Sequence, residues 1–158
     1  MAAAFVLFPL TRWRVSTRSR RSRFSTSSLS PPFGRFVGGA APFGPGATST
    51  FEFDARRGAH VSLVSMLVNT NDAFTGLDSV RLGNGTQVYE VGAYDAGTEV
   101  NNENSSHIPG PVGNNPFVRD PEGGVIAHHE GILGVGDTDP AIIGWEGPVA
   151  RITIERVG

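Results

Sequence analysis

Cysteine and lysine are both absent from the 158 residues of this chain. Without cysteine the chain can form neither a disulfide nor a thiolate metal site, and it has no cysteine nucleophile. A small extracellular domain without disulfides needs another stabilising element, and a bound metal ion is one of the usual ones. The length allows one domain with a hydrophobic core but not two comfortable ones.

Acidic residues are missing from the first 50 positions. Residues 1–50 carry seven of the 13 basic residues and no acidic one (+7), whereas residues 51–158 carry the other six and all 15 acidic residues (−9). Binding to nucleic acid requires basic surface that neutralises phosphates, so the acidic part argues against a nucleic-acid partner. It is better suited to cations.

The chain also lacks a run of the roughly 20 apolar residues that would predict a membrane span. Residues 2–10 are apolar, but positive charges follow them instead of preceding them, so we find no valid signal peptide. Residues 12–30 are rich in arginine and serine, as in transit peptides, disordered segments or sequence that is not natively translated. We interpret residues 1–37 as a disordered or spurious leader and linker, and residues 38–158 as one domain.

Hydrophobic periodicity indicates an all-β fold. Phe51 and Phe53 alternate with Glu52 and Asp54, and no segment shows the 3.6-residue period of an amphipathic helix. The segment 61–68 is apolar on both faces, as in a central strand. The predicted strands are residues 48–54, 61–68, 86–91 and 149–157.

Two acidic motifs follow predicted strands: residues 69–78 (NTNDAFTGLD), the first acidic motif, and residues 94–99 (YDAGTE), the second. Beyond them, residues 100–148 are rich in Asn, Gly, Pro and Asp, and irregular segments this long are usually functional or disordered. Loop carboxylates, amides and carbonyls are the oxygen ligands that calcium requires, although the spacing is not that of an EF-hand. Asp and Asn are also ordinary turn residues, so spacing alone leaves a purely structural role open.

Three segments of the chain resemble the spondin N-terminal domain family, which includes F-spondin, mindin and many bacterial secreted proteins. They are residues 65–78 (SMLVNTNDAFTGLD), 94–99 (YDAGTE) and 148–154 (PVARITI). The resemblance covers roughly residues 38–158 and is strongest for the bacterial branch. It implies a secreted or extracellular antiparallel β-sandwich, related in architecture to calcium-dependent lipid-binding domains, with one Ca2+ ion.

The resemblance also implies the calcium ligands. By position, the three ligating aspartates of animal members correspond to Asp72, Asp95 and Glu99. Glu99 departs from the family pattern, but its longer side chain can still ligate calcium. Residues 1–37 do not resemble the opening strands of the family, so we expect the domain to be incomplete at its N-terminal side.

The sequence gives only weak indications of a histidine metal site or of a catalytic site. His128 and His129 are adjacent, which places them on opposite faces of a strand, and we interpret them, with His107, as surface loop residues. No nucleophile elbow occurs, and the glycine-rich segment 131–136 lacks the ending of a phosphate-binding loop. Asp95 and Glu99 resemble a glycosidase pair only in residue type, since the sequence shows no aromatic platform beside them. We predict that the protein is not an enzyme.

These observations predict a calcium-binding, non-catalytic extracellular module for binding or adhesion. Its partner besides calcium would be an extracellular glycan or a cell-surface protein. Two alternatives remain open: a domain in which the ion bridges to a carbohydrate or lipid headgroup, and a truncated fragment without function.

Overall fold

The computed structural model describes residues 42–56, 58–110 and 118–157 in full, and four strands within residues 3–37 by their backbone. These parts contain eleven strands, one turn of 3-10 helix (Ser105–His107) and one short helix, α1 (Pro140–Ile143). The strands are β1 (Ala3–Phe5), β2 (Thr11–Ser19), β3 (Phe24–Ser25), β4 (Arg35–Val37), β5 (Thr48–Ala55), β6 (His60–Leu67), β7 (Phe74–Arg81), β8 (Gln87–Val91), β9 (Tyr94–Asp95), β10 (Ala127–His128) and β11 (Ala150–Arg156).

The described strands form three antiparallel sheets. One sheet has the order β10-β9-β7-β6-β3, the second has the order β5-β2-β11-β8, and β1 pairs with β4. The predicted all-β fold is therefore confirmed. The four predicted strands correspond to β5, β6, β8 and β11, each to within one residue at either end.

Strand β2 lies in the middle of the four-stranded sheet. Its Val15 is opposite Phe51 of β5 on one side and Ile154 of β11 on the other. The sequence of β2, TRWRVSTRS, alternates arginine or serine with Trp13, Val15 and Thr17, which is the two-residue period of a strand. Residues 11–19 thus form a paired strand within the segment 1–37 that we interpreted as a disordered or spurious leader and linker. Outside the four strands, that segment lies outside the described residues.

The two larger sheets contribute to one hydrophobic core. Strand β6 supplies Val61, Leu63 and Leu67, and β11 supplies Ile152 and Ile154, all of which are buried. Burial alternates along both strands, as their sequences predict. Burying each of these side chains contributes roughly 1.5–3 kcal/mol, which makes this core the main source of stability.

A short connection joins β6 to β7 and carries part of the first acidic motif. The hydroxyl of the buried Thr70 donates to the carbonyl of Leu67 over 2.6 Å and accepts from the amide of Ala73 over 3.0 Å. Strand β7 begins at Phe74, so the prediction of a loop is wrong for the second half of the motif. Gly76 is needed there because a Cβ atom would lie 1.8 Å from the carbonyl oxygen of Leu63.

Among the described residues, no helix is long and apolar enough to cross a membrane.

Candidate functional site

The two acidic motifs meet at one edge of the five-stranded sheet. Phe74, the first residue of β7, is opposite Tyr94 of the antiparallel strand β9. The start of β7 and the end of β9 therefore lie at the same edge, which brings Asp72 close to the residues that follow Asp95. The hydroxyl of Thr75 donates to the carbonyl of Gly92 over 2.5 Å and so fixes β7 to the segment before β9.

Asp72 links the two motifs directly. Its Oδ2 atom accepts hydrogen bonds from the Thr98 amide at 2.7 Å, the Thr98 hydroxyl at 2.6 Å and the Glu99 amide at 2.9 Å. Hydrogen bonds to a carboxylate are stronger than neutral ones, so this oxygen holds the second motif against the first. Its Oδ1 atom is buried and has no hydrogen-bond partner.

Asp95 shapes the second motif. Its Oδ1 atom accepts from the Gly97 amide at 2.6 Å, and its Oδ2 atom accepts from Nδ2 of Asn101 at 2.5 Å. Gly97 has a φ of +69°, and a Cβ atom there would lie 2.6 Å from the amide nitrogen of Val125. Glycine is therefore required at this turn by both its backbone conformation and its close neighbour.

Glu99 is the most buried of the three predicted ligands, with 7% of its surface exposed. Its Oε1 atom lies 2.6 Å from Nη1 of Arg119, whereas its Oε2 atom is buried without a hydrogen-bond partner. Burial raises the pKa of Glu99 above its ordinary value of 4.5, the Arg119 guanidinium opposes that rise, and the Asp72 carboxylate adds to it. The direction of the pKa shift shows that Arg119 compensates the buried charge only in part.

The predicted ligands thus belong to one hydrogen-bonded group, which we call the acidic cluster: Asp72, Asp95, Glu99 and the adjoining Asn101. Three of its oxygens are buried without hydrogen-bond partners in the described part of the chain, namely Asp72 Oδ1, Glu99 Oε2 and Asn101 Oδ1. Carboxylate and amide oxygens are the hard ligands that calcium takes, so these residues fit that ion chemically.

The arrangement is not a ready three-carboxylate cage. Within residues 42–56, 58–110 and 118–157, no three acidic or histidine side chains are grouped so that they could hold a metal ion. Both oxygens of Asp95 accept hydrogen bonds, one from the Gly97 amide and one from Nδ2 of Asn101. Asp95 is therefore connected to the unpartnered oxygens only by its hydrogen bond to Asn101. The role of Asp72, Asp95 and Glu99 as calcium ligands stays a prediction.

A second buried glutamate, Glu103, was not singled out by the sequence. Its carboxylate accepts hydrogen bonds from three consecutive amides, those of Leu133 at 2.5 Å, Gly134 at 2.6 Å and Val135 at 2.9 Å. The glycine-rich segment 131–136, whose ending excluded a phosphate-binding loop, therefore binds an internal carboxylate. Consecutive amides in a glycine-rich segment commonly bind an anion, so the sequence did carry a signal for this contact. The sequence could not show which anion is bound, because Glu103 lies 30 residues earlier in the chain.

Asp137, which directly follows this segment, holds its C-terminal end in place. Its carboxylate accepts from the Ser105 amide at 2.6 Å and from the Ser105 hydroxyl at 2.7 Å. These hydrogen bonds stabilise the charged form and lower the pKa of Asp137 below its ordinary value of 3.8. The loops that carry Glu103 and Ser105 are thus fastened to residues 133–137 at two points.

His129 corrects the interpretation of the histidines as surface residues. It is 4% exposed, its Nδ1 atom accepts from the Gly131 amide at 3.0 Å, and its ring centroid lies 5.3 Å from that of Trp145. Burial is the largest cause that lowers its pKa below 6.5. His128, by contrast, is exposed, as expected for adjacent residues on a strand.

A stacked aromatic pair, the half-buried Phe74 and the exposed Tyr94, lies where β7 and β9 pair. The rings of Phe74 and Tyr94 are stacked with centroids 5.6 Å apart, and His128 contacts Tyr94 edge-on at 6.4 Å. Tyr94 is 42% exposed. The pair borders a groove of about 340 Å³ that Asp78 and Ile126 also line. The sequence did not reveal this aromatic platform because Phe74 and Tyr94 are 20 positions apart and meet only through strand pairing.

Comparison with protein-family models, with curated proteins and with solved structures found no match to this chain. The resemblance to the spondin family stays a prediction that depends on the three sequence segments.

Proposed function

We propose that this protein is a non-catalytic extracellular binding module whose acidic cluster holds a calcium ion. The observation that carries the proposal is the pair of buried, unpartnered carboxylate oxygens, Asp72 Oδ1 and Glu99 Oε2. These atoms belong to the positions that the spondin resemblance assigns to calcium. Two independent lines of reasoning therefore support the same residues.

The physical argument concerns buried charge. A carboxylate removed from water without compensation is costly, and the two carboxylates also repel each other. Arg119 contacts one oxygen of Glu99, which leaves the cluster with more negative than positive charge. A divalent cation would compensate the remaining charge, and the Asn101 oxygen would add a neutral ligand of the kind calcium accepts.

Calcium should therefore stabilise the fold. An ion that binds only the folded state, at a hundredfold excess over its Kd, stabilises it by about 2.7 kcal/mol. For a chain of this size that corresponds to a rise in Tm of roughly 5–10 °C. Thermal melts in calcium and in chelator should differ by that amount, and magnesium should substitute poorly because it demands near-ideal octahedral geometry.

The matched variants are Glu99→Gln and Glu90→Gln. Both glutamates lie 2.6 Å from an arginine nitrogen, but Glu90 pairs with Arg151 in the four-stranded sheet, away from the acidic cluster. Glu99→Gln should remove the calcium-dependent rise in Tm, whereas Glu90→Gln should retain it. A wild-type Tm that does not respond to calcium would refute the proposal.

A second candidate function, carbohydrate binding, is favoured by the aromatic platform. A pyranose ring packs its apolar face on an exposed aromatic ring, and Tyr94 offers such a face beside a groove with the Asp78 carboxylate on its border. Tyr94 and Asp95 are consecutive strand residues, so their side chains leave opposite faces of the sheet. A sugar on Tyr94 would accordingly bind without the ion as a bridge.

The test is binding to an array of extracellular glycans in calcium and in chelator. Tyr94→Ala should abolish any binding that this face provides, and Val88→Ala, an exposed strand position on the other large sheet, should not. Binding that survives Tyr94→Ala but requires calcium would favour an ion-bridged ligand instead.

A further inference from the structure

Arg119 occupies a special position at the acidic cluster. Its Nη1 atom lies 2.6 Å from Glu99 Oε1, and the two side chains differ in exposure, 45% for Arg119 and 10% for Glu99. The guanidinium therefore reaches from the surface to a buried carboxylate. Its positive charge compensates part of the negative charge of this carboxylate.

The backbone holds Arg119 in place independently of its ion pair. The segment that follows it runs along the second acidic motif, with hydrogen bonds from the Val100 amide to the Asp120 carbonyl (2.8 Å) and from the Glu122 amide to the Thr98 carbonyl (3.3 Å). Pro121 also forms an antiparallel bridge with Glu99. Substitution of the Arg119 side chain should therefore leave this segment in position.

A guanidinium at Oε1 and a calcium ion at Oε2 would compete for the charge of the same Glu99 carboxylate. Two cations within a few ångströms of each other repel, and the burial of Glu99 reduces the screening of this repulsion by water. An ion pair whose arginine is half exposed is weak, so a divalent ion can displace it toward solvent. A displaced guanidinium would be hydrated, and both Glu99 oxygens would then be free to hold the ion.

We propose that Arg119 is an internal competitor for the cation at Glu99, which stabilises the metal-free fold and lowers the affinity for calcium. The inference rests on the proposed function, since it concerns the same site. It adds a device that sets the calcium concentration at which the site fills. The acidic cluster would then respond to changes in calcium instead of being permanently occupied.

The experiment compares Arg119→Met with Arg151→Met by calorimetric titration with calcium chloride and by thermal melts. Arg151 is a close control because it is 49% exposed and its Nε atom lies 2.6 Å from the Glu90 carboxylate. Arg119→Met should bind calcium roughly fivefold more tightly than wild type, since calcium no longer has to break the ion pair. Its Tm in chelator should fall, and saturating calcium should restore it to the wild-type value.

Each outcome separates the two proposals. If wild type binds calcium but Arg119→Met binds it equally or more weakly, the competitor role is wrong and the calcium site stands. If no variant binds calcium, the proposed function fails and the competitor role fails with it. Arg119→Lys retains the positive charge and should keep an affinity within about twofold of wild type; should Arg119→Met not fold, the comparison is made with Arg119→Gln.

Discussion

Glu99 and Glu103 are both buried glutamates, but their charges are compensated in different ways. Glu103 receives three backbone amides, so oriented dipoles of the protein itself stabilise its carboxylate. Glu99 has one arginine at one oxygen and no partner at the other. An added cation would therefore compensate the charges of Glu99 and Asp72. Glu103 needs no added cation, and its hydrogen bonds hold one loop to another.

His129 should make stability depend on pH. Its pKa is lowered in the folded state, so the unfolded chain binds the proton more readily, and stability is lost as pH falls below about 6.5. Denaturant unfolding between pH 8 and pH 5 should show this loss in wild type and in His128→Gln, whose histidine is exposed. His129→Gln, which retains an acceptor for the Gly131 amide, should show a smaller loss. An equal loss in all three proteins would contradict this assignment.

At the scale of the elements, the alternation of apolar and polar residues was sufficient to predict some strands but not others. β5 and β11 were predictable because their apolar residues recur at every second position and their polar residues do not interrupt the pattern. β7 was hidden because Gly76 and Asp78 resemble turn residues, although Gly76 is set by close contact with the β6 backbone. β2 was hidden because its arginine content resembles that of a leader.

Strand β2 should be essential to the four-stranded sheet. Proline removes a backbone donor and is not tolerated in a central strand, where the carbonyl left without its partner costs about 1–3 kcal/mol. Val15→Pro falls between β5 and β11, whereas Val88→Pro falls in β8, which is paired on one side only. Thermal melts and limited proteolysis should show a much larger loss of stability for Val15→Pro.

The opposite ranking of these two proline variants would mean that β2 is dispensable. In that case proteolysis of the wild-type protein should remove residues 1–37 and leave a stable core, as the leader interpretation required. Protection of residues 11–19 in the wild type would support the sheet order described above.

At the scale of the whole molecule, the site exists because the chain changes sheets twice between the two acidic motifs. It leaves the five-stranded sheet after β7, forms β8 in the four-stranded sheet, and returns through Gly92 and Ala93 to form β9. That return places β9 antiparallel to β7 with Tyr94 opposite Phe74. Simple pairing of neighbouring strands would instead have placed the motifs at opposite ends.

The sequence by itself determined the all-β class, four strands and the two acidic motifs, because periodicity and residue type are local properties. Only the tertiary structure decided that β2 is a central strand, that His129 is buried, and that Glu103 has partners at both carboxylate oxygens while Glu99 has a partner at only one. Each of these depends on partners 20 or more positions away or on packing against another element. The burial and the electrostatic compensation of a residue depend on the residues that surround it in space. The residues next to it along the chain do not determine which residues those are.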